Sequence, residues 1–242
     1  MHGDVNIAPV AALLADPTRV SILVALSDGR ALPAGELARR AHVTSSTASN
    51  HLAKLVESDL LAVEQQGRHR YFRIANPAVI QALEALAPLA PTAPIHSLRE
   101  AETAKAIQIA RMCYQHLAGR LGVALTQAMV EHEILIALDE GYTVSSEGKQ
   151  WLQDFGIDIA RFQKHGHIFI SHHIDWSERR RHIAGPFGVA FAQRLFALEW
   201  IKRSPSSRAV HITERGREAL REQFGWDREQ QAPEKLLAVG SW

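Results

Sequence analysis

The chain has 242 residues, of which 46% are hydrophobic and 22% charged, the composition of an ordinary folded protein with room for two modest domains. Its formal net charge of +1 excludes a globally basic nucleic-acid binder, so any such footprint must be local. Residues 1–6 offer neither a basic n-region nor an apolar run, no apolar stretch approaches the roughly 20 residues that span a bilayer, and the one cysteine, Cys113, forms no intrachain disulfide. The expectation is a cytoplasmic protein with no membrane partner.

A short helix is expected from about Ile7 to Leu14. Asp16 caps the next one and Pro17 suits its first position. Val20, Leu23, Val24 and Leu26 supply its buried stripe, and Asp28-Gly29 ends it. Pro33 opens a third helix, with Leu37, Ala38 and Ala41 inward and Arg39 and Arg40 outward. The turn His42-Val43-Thr44 then leads into residues 45–57. Wound at 3.6 residues per turn, this segment gathers Ala48, Leu52, Leu55 and Val56 on one side. Ser46, Thr47, Asn50 and Lys54 fall on the other, with Ser49 and His51 at the borders. Taken alone, this is equally the pattern of an ordinary amphipathic surface helix.

Leu60 to Glu64 reads as a strand, Gln65-Gln66-Gly67 as a turn, and Arg68 to Ile74 as the returning strand. Between Arg39 and Arg73 six Lys/Arg (Arg39, Arg40, Lys54, Arg68, Arg70, Arg73) meet three acids (Glu57, Asp59, Glu64), a local balance of +3. A helix-turn-helix followed by a basic wing is the arrangement that meets double-stranded DNA. Ser45, Ser46, Thr47, Ser49, Asn50, His51 and Lys54 are expected in the major groove. Arg68, His69 and Arg70 are expected at phosphate or the minor groove.

The segments Leu14-Ala-Asp-Pro-Thr-Arg-Val-Ser-Ile-Leu23, Glu36 to Leu52 and Gly67-Arg-His-Arg-Tyr-Phe-Arg-Ile74 resemble the ArsR/SmtB family of bacterial repressors over roughly residues 5–90. The resemblance implies a winged-helix homodimer that binds a promoter palindrome and releases it when an effector arrives. It also implies pairing of the first and last helices, about 6–15 and 77–88. Metal-sensing members carry cysteines near the helix before the recognition helix, where this chain has Glu36-Leu37-Ala38-Arg39-Arg40. Others carry Asp/His ligands on the last helix, and residues 77–89 contain neither. Sensing should therefore lie elsewhere in the chain.

Three prolines in residues 87–94 mark a boundary, with a linker over 91–96. Ser97-Leu98-Arg99-Glu100 has capping-box spacing and opens a long helix running towards Cys113 and His116. Beyond it lies an internal repeat. His116-Leu-Ala-Gly-Arg-Leu-Gly-Val-Ala-Leu125 matches His182-Ile-Ala-Gly-Pro-Phe-Gly-Val-Ala-Phe191 at an offset of 66, with six identities. Val144, Ser145, Gly148 and Leu152 match Ile212, Thr213, Gly216 and Leu220 at an offset of 68. Each unit reads helix, helix, strand, turn, strand, helix, with copies at about 97–160 and 165–226, and such copies pack about a pseudo-twofold axis. The Gly119/Gly122 and Gly185/Gly188 pairs lack the Lys-Ser/Thr of a phosphate loop and fit close packing better. The fold class is thus α+β, mostly helical: an N-terminal winged helix-turn-helix over 1–90, then a duplicated domain of two tandem winged-helix-like repeats over 97–226. A flexible tail is expected over 227–242.

On this reading Cys113 and His116 share one helix face and Glu178 and His182 the equivalent face, with Asp175 and Arg179 beside them. His116 and His182 meet across the axis, and His165, His167, His172 and His173 precede the second copy. The effector candidates are therefore Cys113, His116, Asp175, Glu178, Arg179 and His182. Cys113, His116 and His182 are candidates for a transition metal such as zinc. A small anionic ligand, a redox-sensing thiol, or a merely structural set with Asp175-Trp176-Ser177-Glu178 as a capping box are the alternatives. The expected function is a DNA-binding regulator, a dimeric repressor and not an enzyme. A catalytic domain or a protein-interaction module with a dimerising winged helix remains the alternative.

Overall fold

A computed structural model describes residues 5–91, 94–164 and 167–227. The first part follows the expected order. α1 (Ala8–Leu14) and α2 (Pro17–Ala25) meet at Asp16, whose carboxylate accepts the Arg19 N–H at 2.9 Å and caps α2. β1 (Leu32–Pro33) leads into α3 (Ala34–Arg40), and a turn through His42 leads into α4 (Ser45–Glu57). The Thr44 hydroxyl caps α4 by accepting the Thr47 N–H. β2 (Leu61–Gln66) and β3 (His69–Ile74) form the wing, and β1 joins β3 on its other edge. Gly67 turns the wing tip with φ +60, the left-handed region that only glycine enters without cost. α5 (Pro77–Leu86), capped by Asn76, closes this part.

Ile22, Leu23, Leu37, Leu52, Leu55, Leu61 and Phe72 fill its core. Val24 is a correction: it is 38% exposed, and Ile22 takes its place in the stripe. The stripe of α2 runs through 22, 23 and 26, the i, i+1, i+4 rhythm of one helix face. Arg73 points away from the core, between inward Phe72 and Ile74, but pairs across the wing with Glu64.

The remainder runs α6 (Leu98–Ile109), β4 (Arg111–Cys113), β5 (His116–Ala118), α7 (Gly119–Glu131), β6 (Leu135–Leu138), β7 (Gly141–Val144) and α8 (Ser146–Asp154). A 3-10 turn over Ile159–Phe162 leads to β8 (Gln163–Lys164), β9 (His167–Ile168), β10 (His172–Ile174), β11 (Arg181–Ile183), α9 (Gly185–Ala197), β12 (Ile201–Arg203), β13 (Val210–Ile212) and α10 (Glu214–Phe224). The expected order of each unit needs correcting, because a hairpin precedes α7 and α9 where the first helix was read as carrying Cys113 and His116, or Glu178 and His182. α6 stops at Ile109, Ala110 is extended, and Cys113 and His116 face each other across a two-residue turn. Glu178 likewise lies in a turn, whereas His182 is on β11. Arg111, Met112, Cys113, His116, Leu117 and Ala118 are all buried. A strand buried on both faces shows no period-2 pattern that would separate it from helix.

α9 packs on β5 and α7 on β11. Leu117, Gly122 and Leu125 line their junction with Ile183, Gly188 and Phe191. A Cβ on Gly122 would lie 2.6 Å from the Leu117 carbonyl oxygen, and one on Gly188 2.9 Å from that of Ile183. These glycines let a helix close on a strand, which accounts for the Gly-x-x-Gly pairs. One apolar core joins Leu121, Leu125 and Phe155 to Phe187, Phe191, Trp200 and Phe224.

The two parts of the chain are held together by arginines. Arg30 donates to the carbonyls of Ser204 and Ser207 at 3.1 and 2.9 Å, Arg40 to that of Pro205 at 3.2 Å, and Arg203 to that of Asp28 at 3.0 Å. Arg208 meets Glu84 of α5 at 3.1 Å. Arg40 therefore does not point freely outward, and the longer turn after β12 is the loop that grips the winged helix. Residues 92–93, in the expected linker, and residues 228–242 of the expected tail lie outside the described residues.

Candidate functional site

Two groups of polar side chains stand apart. The first is on the outer face of α4 and the wing. Ser45, Ser46, Ser49, Asn50 and Lys54 are exposed, as are Arg68, His69 and Arg70. Thr47 is half-buried and its hydroxyl meets that of Thr44 at 2.9 Å, which ties it to the helix start. The Ser49 hydroxyl donates back to the Ser45 carbonyl at 2.8 Å. His51 turns aside, its Nδ1 3.5 Å from the Asp16 carboxylate at the start of α2. Of the groove set, Asn50 and Lys54 thus project most directly, flanked by Ser45 and Ser46. Hydroxyls, an amide and cations on one helix face, with arginines on a neighbouring ribbon, are the chemistry that bonds base edges and neutralises phosphate.

The second group is sealed inside. Antiparallel pairing sets Cys113 opposite His116 in the β4–β5 hairpin and His173 opposite His182 in the β10–β11 hairpin. Residues directly opposite in such a pair bring their side chains together, and the contact between β5 and β11 brings the two pairs face to face. The Nε2 atoms of His116 and His182 are 3.2 Å apart, and Cys113 Sγ is 3.9 Å from His173 Nδ1. One donor atom from each of the four residues lies within 4.8 Å of every other.

Electrostatics keeps this cluster neutral. Burial, aided by neighbouring His182 and His173, pushes His116 well below the usual imidazole range. Burial pushes His182 down to about 3 and also lowers His173. It drives the Cys113 thiol up, reinforced by the Glu84 carboxylate. Each neutral imidazole has one lone-pair nitrogen, and at 3.2 Å one of His116 and His182 can donate its Nε2–H to the other. Among the described residues, His182 Nδ1 has no hydrogen-bond partner, nor has Glu84 Oε2.

Beside the cluster lies a fully buried ion pair, Arg111 to Asp175 at 2.8 Å. Burial works against ionising Asp175, but the Arg111 charge, the Ser177 hydroxyl and the N–H groups of Gly119 and Glu178 outweigh it and hold the carboxyl at about 2. The Asp175 carboxylate accepts the Ser177 and Glu178 N–H groups at 2.9 and 3.0 Å, the turn-forming role its capping-box spacing allows. Glu178 pairs loosely with Arg120 at 3.8 Å, and Arg179 is exposed in the turn with φ +54. Of the six effector candidates, Cys113, His116 and His182 converge, while Asp175, Glu178 and Arg179 serve the 175–180 turn.

Arg111 and Glu84 carry no signal in the sequence, and His173, which stands ahead of the second copy, joins the cluster only through its strand register. A register count was the available signal for His173: once His182 is placed on a strand, a hairpin partner must be sought upstream among His172 and His173. His165 lies outside the described residues. A surface cavity of about 760 Å³, lined by Thr143, Lys149, Gln153, Asp158 and His167, involves none of the four clustered residues.

A helix-turn-helix with a polar recognition face, an arginine-bearing wing and a side-chain cap at the start of α4 defines a winged-helix DNA-binding protein. Comparison with known proteins places it more narrowly. Residues 14–64 match the helix-turn-helix domain family. The chain is 43% identical over 215 residues to the HTH-type transcriptional regulator YdfF of Bacillus subtilis (strain 168), covering 89% of this chain and 95% of that protein. It is also 43% identical over 70 residues to the HTH-type transcriptional regulator CmtR of Mycobacterium bovis, covering 29% of this chain and 58% of that relative. The solution structure of the cadmium metal-sensor CmtR from Mycobacterium tuberculosis is 35% identical and covers 38% of this chain and 99% of its own, with a TM-score of 0.30. The chain belongs to the helix-turn-helix transcriptional regulators, with an N-terminal domain of the ArsR type, and is a DNA-binding regulator.

Proposed function

We propose that the chain is a dimeric repressor: residues 1–90 read a promoter operator, and residues 97–226 hold that domain and sense the signal that releases it. The observation that carries this reading is the segregation of polar groups. Those of α4 and the wing face solvent, whereas those around Cys113 and His182 are enclosed behind the arginine contacts to the winged helix. A sensing role for the second part also accords with its inclusion in the regulator relative, which matches along nearly the whole chain.

Dimerisation is supported by the apolar surface of the outer helices. No residue of α1 is buried, and Val10, Leu86 at the end of α5 and Leu89 in the 3-10 turn after it are 43%, 49% and 81% exposed. A second copy pairing α1 and α5 would cover them about a twofold axis. Duplication in the sensing part is supported by matched roles. Ser145 and Thr213 cap α8 and α10 by accepting the N–H of Gly148 and Gly216. A Cβ on either glycine would strike a carbonyl oxygen, that of Ile134 or of Trp200.

The test is binding to the DNA upstream of the chain's own reading frame across a salt series. Arg68→Ala is expected to weaken binding to all sequences and reduce the salt slope by about 1, whereas Asn50→Ala should blur sequence preference. Unchanged operator affinity in both variants would overturn the placement of the DNA face.

A further inference from the structure

We propose that Cys113, His116, His173 and His182 bind one zinc-class transition-metal ion, and that this ion is the signal the regulator senses. The sensing half rests on the repressor reading above, while the site itself rests on geometry alone. A tetrahedral ion with bonds of about 2.0–2.3 Å sets its donors about 3.3–3.8 Å apart. The His116–His182 and Cys113–His173 separations, 3.2 and 3.9 Å, already bracket that range, and the widest pair lies within 4.8 Å. One thiolate and three imidazoles form a borderline-soft set that suits zinc, cobalt or cadmium and not calcium or magnesium. The four donors come from two rigid cross-strand pairs, so small hairpin movements suffice to close the shell. On binding, Cys113 forms the metal–sulfur bond as thiolate and its proton passes to solvent.

The same hairpin reaches the DNA-binding part. Its tip residue Tyr114 holds the left-handed conformation, φ +57, and donates its N–H to the Ser27 carbonyl at the end of α2. Gln115 Cγ presses on Gly29, where a Cβ would lie 2.8 Å away. Cys113 itself packs in the core of the winged helix with Leu26 and Ile80. Drawing Cys113 towards His116, His173 and His182 therefore pulls directly on the α2 end and on the Cys113 neighbourhood of α5, where Glu84 sits. The metal thus acts on the elements that set the orientation of α4 and the dimer helices.

The experiment is titration of chelator-treated full-length protein with Co(II), followed by Zn(II). One equivalent should produce tetrahedral d–d bands and a thiolate-to-cobalt charge-transfer band, both bleached by Zn(II). Cys113→Ser should lose the charge-transfer band and His173→Ala the tetrahedral spectrum, while the adjacent His172→Ala keeps both. Absence of the bands in the wild-type protein, or their persistence in His173→Ala, overturns the site. If His173→Ala loses its native circular dichroism, the near-isosteric Cys113→Ser decides. In a parallel upstream-DNA titration, Zn(II) should shift the affinity of the wild-type protein and of His172→Ala, and that of Cys113→Ser not at all. A bound metal with unchanged DNA affinity overturns the sensing role alone. Failure of the metal-free and metal-loaded proteins to bind DNA overturns the repressor reading, while the cobalt spectrum still decides the site.

Discussion

The winged helix and the paired hairpins use the same kinds of side chain to opposite ends. On α4 and the wing, Asn50, Lys54, Arg68 and Arg70 keep their polar ends in water, where an incoming duplex can replace that water. In the hairpins, Arg111, Asp175, His116 and His182 are buried, and each is costly unless its neighbours satisfy it. The first region can therefore lose a side chain with little effect on folding and a large effect on recognition. The second is the reverse, because a buried charge left without its partner destabilises the fold directly.

The sharpest way to break that contrast is at the buried pair. Asp175→Asn leaves Arg111 without its counter-charge and should cost about 3–5 kcal/mol of stability in urea denaturation; a loss no larger than a surface substitution would show the pair is not the brace described. Next come the two matched glycines. Gly148→Ala and Gly216→Ala each force a methyl against backbone carbonyl, and each should cost about 1–3 kcal/mol. Similar losses are expected from the two, and clearly unequal ones would argue against equivalent roles.

On the exposed face, Asn50→Ala should leave the melting temperature unchanged yet remove about 1–3 kcal/mol of discrimination between operator and scrambled DNA. Thr44→Ala, which removes the cap of α4, should cost about 1 kcal/mol of stability. Smallest of all should be Arg73→Ala. Its guanidinium is engaged by Glu64 and the Ile74 carbonyl, so DNA affinity should fall much less than in Arg68→Ala when both are measured at the same salt concentration.

The winged helix was largely legible before any coordinates. Asp16 acts on the N–H group three residues ahead, and the α4 stripe repeats at helical spacing over 13 residues, whereas the Thr44 cap came only with the structure. Those signals are local, so they survive in one dimension. The hairpins were misread because Arg111 to Cys113 is short and buried on both faces, leaving neither length nor period to reveal a strand. The expectation that His116 and His182 meet came from the similarity at offset 66, which sets each just ahead of a Gly-x-x-Gly helix, and in the structure their Nε2 atoms are 3.2 Å apart. His173 escaped because its hairpin encloses residues 175–180, where the first has only Tyr114 and Gln115, so a uniform offset does not align it with Cys113.

For the contrast between the two regions, the division of labour is therefore uneven. The order of residues by itself determined that α2 would be capped by Asp16, that a helix-turn-helix with a basic wing would form and which face of α4 would be polar, because caps and helical periodicity act within a few residues. Only the tertiary structure decided that Arg40 and Arg73 are engaged elsewhere, that the 203–208 turn clasps the winged helix, and that Cys113 and three histidines converge. Those outcomes depend on strand register and on contacts between residues 60 to 174 positions apart, which no local rule carries.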